Sequence, residues 1–329
     1  MRRRAFITLL GGAAALPLRA RAQQGDRVRR IGVLLPYDEN ETVTKPLVSA
    51  FMQALAQLGW TDGRDVRMDL RWTGGDTNRI RALAQELVGL QPDIILTYTT
   101  PPTAVVQRET RTIPIVFVDV ADPVASGLVA RLDRPNGNIT GFADFDPSLG
   151  GKWLELLSQI APGLKRAAIM FDPDPVLPTS IFIPSLETAA RSLKVEPIAT
   201  PVHSDAEIEA AIIALGREPR SGLVVLPGVY MLAHRAPIKS AAAANNEPAG
   251  YWLSPFAKDG GLLSYGVDQA DIWRRAAIYV DRILRGAKLG DLPVRFPTKF
   301  DMAVNLKTAK ALGLIIPAIL QATADEVIE

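Results

Sequence analysis

Apolar positions along the chain follow two alternating spacings. Ile31, Gly32, Val33, Leu34 and Leu35 form an unbroken apolar run, the mark of a strand covered on both faces. Leu47, Ala50, Phe51, Ala54, Leu55 and Leu58 then recur at the three- and four-residue spacing of one helix face. Val66, Met68, Leu70 and Trp72 alternate with Arg67, Asp69 and Arg71, which predicts a half-exposed strand. Ile80, Leu83, Ala84, Leu87 and Val88 return to the helical spacing. Strands are predicted at 93–97 and 113–120, with a helix beginning at Pro101 between them. The first unit is β-α-β-α-β-α-β.

From about Gly150 the same alternation begins again. Trp153, Leu154, Leu157 and Ile160 mark a helix, and 167–171 a strand. Helices spanning Leu186 to Leu193 and Ile208 to Leu215 flank a strand near 195–202. A strand at 223–226, an alanine-rich helix at 235–246 and a strand at 249–253 complete the unit. Two consecutive units of this kind predict an α/β protein of two doubly wound, Rossmann-like lobes. The tail adds a strand at 262–265, a helix at 272–284, a strand near 302–306 and a helix ending at Gly313. That is one β-α pair for each lobe. The expected division is a first lobe of 28–142 plus 254–287 and a second of 143–253 plus 288–329, joined by a three-crossing hinge.

The first 22 residues do not fit this grammar. Arg2-Arg3-Arg4 opens an apolar run from Ala5 to Leu18, broken by Thr8, Gly11, Gly12 and Pro17. Ala20-Arg21-Ala22 matches the small-x-small pattern of signal peptidase sites. Arg3-Arg4-Ala5-Phe6-Ile7 resembles the twin-arginine export motif. The run is shorter than the ~20 residues of a spanning helix. The expectation is a leader over 1–22, cleaved after Ala22, and a periplasmic protein. An amphipathic arm or uncleaved anchor is the competing reading. These residues also hold five arginines and no acid, so the formal charge of +2 becomes 32 bases against 35 acids in the remainder. The basic character belongs to the leader and gives no support for nucleic-acid binding.

Composition narrows the chemistry further. Among 329 residues there is no cysteine and there are two histidines, His203 and His234. Disulfides, thiol nucleophiles, Cys-ligated zinc and iron–sulfur clusters are excluded. No Walker A loop, G-x-G-x-x-G, G-x-S-x-G or H-E-x-x-H occurs. No catalytic residue, metal site or cofactor is expected. Asn138-Ile139-Thr140 reads as a turn before Gly141.

Open α/β sheets bind ligands at the carboxyl ends of their strands, and there the sequence is informative. Tyr37 follows the first strand. Thr97, Tyr98, Thr99 and Thr100 end the third, with Thr100 before Pro101 as a helix start whose free N–H groups suit an anion. Val120, Ala121 and Asp122 end the fourth, where Asp122-Pro123 repeats the arrangement. Phe171-Asp172 and Pro227 to Tyr230 take the equivalent places in the second unit, and Tyr265 ends the tail strand before Asp268. Four of the six tyrosines (37, 98, 230 and 265) thus face one cleft, in competition with simple roles in capping and packing.

Several stretches resemble the substrate-binding proteins of ABC transporters, in the family related to tryptophan and other aromatic amino-acid binders. They are Ile113-Pro114-Ile115-Val116-Phe117, Asp122-Pro123-Val124 with Gly127-Leu128-Val129, and Gly137-Asn138-Ile139-Thr140-Gly141. Gly260-Gly261-Leu262-Leu263-Ser264-Tyr265-Gly266, Asp291-Leu292-Pro293-Val294 and the run Asn305 to Leu314 with Ile316-Pro317 complete the set. The resemblance implies a type I periplasmic-binding-protein fold that delivers its ligand to an ABC permease in the inner membrane. It also implies that Thr97, Thr99, Thr100 and the Val120, Ala121, Asp122 turn hold a carboxylate, with Asp268 holding an ammonium. Asp172-Pro173-Asp174-Pro175 departs from the Asn-Pro loop of that pattern, and Gly228-Val229-Tyr230-Met231 matches none.

The expected function is therefore an extracytoplasmic solute-binding protein, a monomer holding a small carboxylate with an aromatic or apolar body. A periplasmic ligand sensor for a signalling partner is the alternative. An enzyme on the same scaffold is disfavoured by the missing cysteine and scarce histidine.

Overall fold

The computed structural model describes residues 27–135, 137–144, 146–173 and 179–329. The leader with its cleavage site, and the Asp174-Pro175 pair, lie outside the described residues.

The first lobe runs β1 (Arg29–Leu35), α1 (Thr44–Gln57), β2 (Val66–Trp72), α2 (Thr77–Gly89), β3 (Ile94–Tyr98), α3 (Thr100–Glu109), β4 (Ile115–Val120) and β5 (Ile139–Ala143). Its strands form one parallel sheet in the order β2-β1-β3-β4-β5. Alternation along β1 sorts its helices. Ile31, Val33 and Leu35 pack with Leu47 and Phe51 of α1, while Leu34 packs with Ile80, Ala84 and Leu87 of α2 on the opposite face.

The second lobe begins with α4 (Leu149–Ile160), β6 (Arg166–Phe171), α5 (Ile183–Leu193), β7 (Glu196–Pro201), α6 (Asp205–Leu215) and β8 (Leu223–Val225). It continues with α7 (Val229–Ala233), α8 (Arg235–Ala244), β9 (Ala249–Tyr251), α9 (Ser254–Lys258) and β10 (Leu263–Val267). Helix α10 (Gln269–Leu284) then returns to the first lobe, packing along α1 and against β4. The chain ends with β11 (Phe300–Asn305), α11 (Leu306–Ala311), α12 (Ala318–Thr323) and β12 (Glu326–Ile328). The second sheet has the order β12-β11-β10-β9-β8-β6-β7. Two doubly wound α/β lobes are the architecture.

Three sequence expectations need correction. The 262–265 strand does not belong to the first lobe: β10 pairs in parallel with β9 and antiparallel with β11, both in the second sheet. The chain crosses after β10, at Asp268, and not before α9. Counting β-α units cannot locate a crossing, because strand partners are not written in local spacing. Secondly, Asn138-Ile139-Thr140 is not a turn. Ile139 and Thr140 open β5, which is buried throughout and pairs with β4, and Asn138 stands just before it. Thirdly, no helix starts at Asp122. Its carboxylate accepts from the Val124 and Ala125 amides at 3.1 and 2.9 Å in a plain turn.

The last crossing is tied to the first lobe before it reaches β11. The Thr140 hydroxyl donates to the Leu292 carbonyl at 2.6 Å, and Tyr279 donates to Pro293 O at 2.7 Å. Helix α10 buries Ile272, Trp273, Ala276, Ala277 and Val280, and Trp273 meets the ring of Tyr98 at 5.3 Å. That contact fixes one wall of the cleft between the lobes. Among the described residues no helix is long and apolar enough to cross a membrane.

Candidate ligand-binding cleft

The cleft lies where the strands of both sheets end. Tyr37, Tyr98, Thr99, Asp119, Ala121, Asp144 and Gln269 line it from the first lobe. Ile181, Phe182, Pro227, Gly228, Val229, Trp252 and Leu253 line it from the second. It is a narrow space, partly open to solvent. The two walls differ in kind. The first lobe supplies every ionisable side chain of the lining, and the second supplies apolar side chains and backbone.

Backbone strain aims the polar wall. Thr99 has φ 68° and ψ 170°, and Asp119 has φ 58°. Non-glycine residues held in such regions cost of order 1–3 kcal/mol each and concentrate at functional sites. At Asp119 the pairing of β4 with β5 slips between Val118 and Val120, a bulge that turns the carboxylate out of the strand's alternation. The Thr99 amide donates to Val118 O at 3.0 Å and holds its own turn in place.

Asp119 and Asp144 form a carboxyl pair. Burial pushes the Asp144 carboxyl well above its usual range, and the negative charge of Asp119 beside it pushes the same way. Burial and a like charge together favour a proton on Asp144. The Gln269 amide donates to Asp144 Oδ2 at 3.0 Å and reaches Asp119 Oδ1 at 3.4 Å. Burial, with the Asp119 charge beside them, pushes the Tyr98 and Tyr37 hydroxyls up. Three buried polar atoms on this wall have no partner: Asp144 Oδ1, Gln269 Oε1 and Thr99 Oγ1. Gln269 Oε1 accepts only, and Asp144 Oδ1 does so once its carboxyl is ionised, so the wall asks for a ligand that donates hydrogen bonds. No lysine or arginine is among the described lining residues.

Of the residues singled out from sequence, Tyr37, Tyr98, Thr99, Ala121 and Pro227 come together on the lining. The others do not. Thr97 lies beneath it, its hydroxyl 2.8 Å from that of Thr103. Thr100 is the first residue of α3 and not its cap, which is Thr99, and its buried hydroxyl has no partner. Val120 is fully buried in the sheet, and Asp122 is occupied by its turn. Phe171 and Asp172 end β6 half-buried and off the lining. Tyr230 stacks on His234 at 4.0 Å, and Tyr265 stacks on Phe300 at 6.0 Å with the Lys152 ammonium over its ring. Asp268 accepts from the Asp271 amide at 2.9 Å and caps α10. Alternation explains Tyr265, since a strand position one residue off points to the other face, whereas Tyr230 belongs to α7 and not to a strand end.

Sequence reasoning missed Asp119, Asp144, Trp252 and Gln269. Asp119 carried a signal, since an acid inside the run Ile115-Val116-Phe117-Val118-Asp119-Val120 is out of place in a buried strand. Gln269 stood beside Asp268, whose position before a helical run drew the attention instead.

A family model described as ABC transporter substrate binding protein matches residues 39–328. A tyrosine-binding protein of Clostridioides difficile (strain R20291) is 26% identical over 265 residues, covering 80% of this chain and 75% of that one. Among solved structures, an ABC domain in complex with L-Trp from Streptococcus pneumonia superimposes with a TM-score of 0.83 at 22% identity, over 92% of this chain and all of that one. The ligand-free, open structure of a substrate-binding protein with adhesive properties from Clostridium difficile gives 0.71 at 24% identity, over 92% of this chain and 99% of that one.

Proposed function

Since the chain belongs to the ABC transporter substrate-binding proteins, we propose that it holds an α-amino acid with an aromatic or apolar side chain between its lobes and hands it to a membrane permease. One observation carries the amino group. A carboxyl pair and two partnerless acceptors face the cleft, with no base among the described lining residues. An ammonium with three N–H donors satisfies that wall and takes the place of the proton on Asp144. The ligand carboxylate falls to the Thr99 hydroxyl, and not to Asp122 or Thr97, which are occupied. Tyr37, Tyr98, Phe182 and Trp252 supply flat apolar walls for a ring. The tyrosine-binding relative supports an aromatic side chain. Members of this family are binding proteins, and no covalent step is assigned to the cleft.

Calorimetry with three compounds tests the reading. L-Tyrosine should bind, and 3-(4-hydroxyphenyl)propionate, which lacks the amine, should bind at least about 100-fold more weakly, the scale of a lost buried ion pair. Tyramine, which lacks the carboxylate, should lose less. Equal binding of the propionate would place the ammonium site elsewhere.

Export is part of the same proposal. Arg3-Arg4-Ala5-Phe6-Ile7 and Ala20-Arg21-Ala22 support removal of residues 1–22 during passage to the periplasm. Mass spectrometry of the periplasmic fraction is expected to find a chain starting at Gln23. A full-length product confined to the cytoplasm refutes it.

A further inference from the structure

Outside the cleft, one charge cluster joins the two lobes. Glu41 follows β1 at the mouth of the first lobe, and Arg235 opens α8 on the second. Arg235 Nη2 lies 3.1 Å from Glu41 Oε1, and Nη1 donates to Oε2 at 3.2 Å, a two-pronged fork on one carboxylate. Nη2 also donates to Thr42 Oγ1 at 3.2 Å. Both side chains are largely withdrawn from solvent, 18% and 16% exposed. Neither lines the cleft.

Each half is set on its own lobe before the two meet. On the second lobe, Asp259 Oδ2 sits 3.5 Å from Arg235 Nε, the Leu232 carbonyl accepts from Nη1, and Lys239 braces Asp259. On the first, the Val43 amide donates to Glu41 Oε1 at 3.2 Å. A guanidinium and a carboxylate held ready in this way lose little freedom on pairing.

We propose that Glu41 and Arg235 form a latch that holds the lobes closed and sets how long a ligand is retained, without touching the ligand. The proposal rests on the binding role given above but not on the identity of the ligand. Because the pair forms only when the lobes meet, it favours the closed arrangement even without ligand and slows reopening. Its loss should appear in dissociation and not in association.

The absence of cysteine makes the test direct. Ser49→Cys on α1 and Glu209→Cys on α6, both at exposed positions, become the sole sites for a pair of spin labels. Without amino acid, the protein otherwise unchanged should show a short, closed distance, and Glu41→Gln and Arg235→Gln should each deplete it about tenfold. With L-tyrosine as probe, both variants should release it about tenfold faster, with association changed less than about twofold. The double variant should be no worse than either single one. Unfolding midpoints of the variants guard against a folding defect, and Glu41→Gln keeps the side chain's shape. No closed distance in the parent, or one that survives both substitutions, overturns the latch. So does release within about twofold of the parent. Failure of L-tyrosine to bind counts against the ligand reading, and the distances measured without it still decide the latch.

Discussion

Asp144→Asn is expected to weaken L-tyrosine binding by about 10- to 150-fold, the range for losing a hydrogen bond to a charged group. Asparagine keeps the shape and one acceptor, so the loss reports the charge. The effect should depend on pH. Burial and the Asp119 charge hold the Asp144 carboxyl well above its ordinary value of 3.8, so the pair keeps a proton that an ammonium must displace. Affinity in the parent protein should therefore rise with pH through the range in which that proton leaves. With Asp144→Asn in place the slope should flatten. Stability without ligand runs the opposite way. A carboxyl raised in the folded state contributes stability below 3.8 that is lost as pH climbs through its folded value, because the unfolded chain gives up its proton first. Asp144→Asn should remove that loss and make the empty protein more resistant to urea at neutral pH. Calorimetry from pH 5 to 8 beside urea titrations decides the matter, and an unchanged affinity at every pH would dissociate Asp144 from the ligand.

The second large effect is expected at Gly266 in β10. A Cβ built there stands 1.8 Å from the Trp252 carbonyl oxygen and 2.9 Å from its carbon. Both obstacles are backbone, so nothing flexible can give way. Overpacking of this kind costs about 3 kcal/mol, and Gly266→Ala should lower the urea midpoint accordingly. Trp252 lines the cleft, so the displaced backbone should also weaken L-tyrosine binding. Gly250 in β9 is the control, since its nearest neighbours lie at 3.9 and 4.0 Å. Gly250→Ala should be tolerated, and equal stability of the two variants would contradict the close approach.

The fold was legible where periodicity is strong. The run Ile31 to Leu35, the face Leu47 to Leu58 and the repeat of that alternation after Gly150 specify strands and helices through burial alone. What spacing could not state is which sheet a strand joins, and β10 shows the reason. Its sequence is that of any buried strand, while its place depends on a glycine that lets it lie against Trp252. The cleft was legible to the level of strand ends. Tyr37, Tyr98 and Thr99 follow from the rule that ligands meet sheets there. Asp119 does not, because a bulge and a positive φ redirect it from the face that alternation assigns. Asp268 and Gln269 illustrate the same limit. The acid before a helical run has the stronger chemistry, but its carboxylate is spent on the Asp271 amide and its neutral neighbour faces the carboxyl pair.

The unequal walls of the cleft have a consequence for how selectivity can change over generations. On the proposed reading, head-group recognition falls to the first lobe, in a network of strained backbone, paired acids and an amide in which one substitution disturbs several contacts. The opposite wall is built of Ile181, Phe182, Val229, Trp252 and Leu253. Apolar side chains of this sort exchange volume with small penalties and strand no polar partner. Preference among side chains can therefore drift by repapering one wall while the grip on the shared backbone of all amino acids is inherited intact. A duplicated copy of such a protein needs few steps to acquire a new cargo.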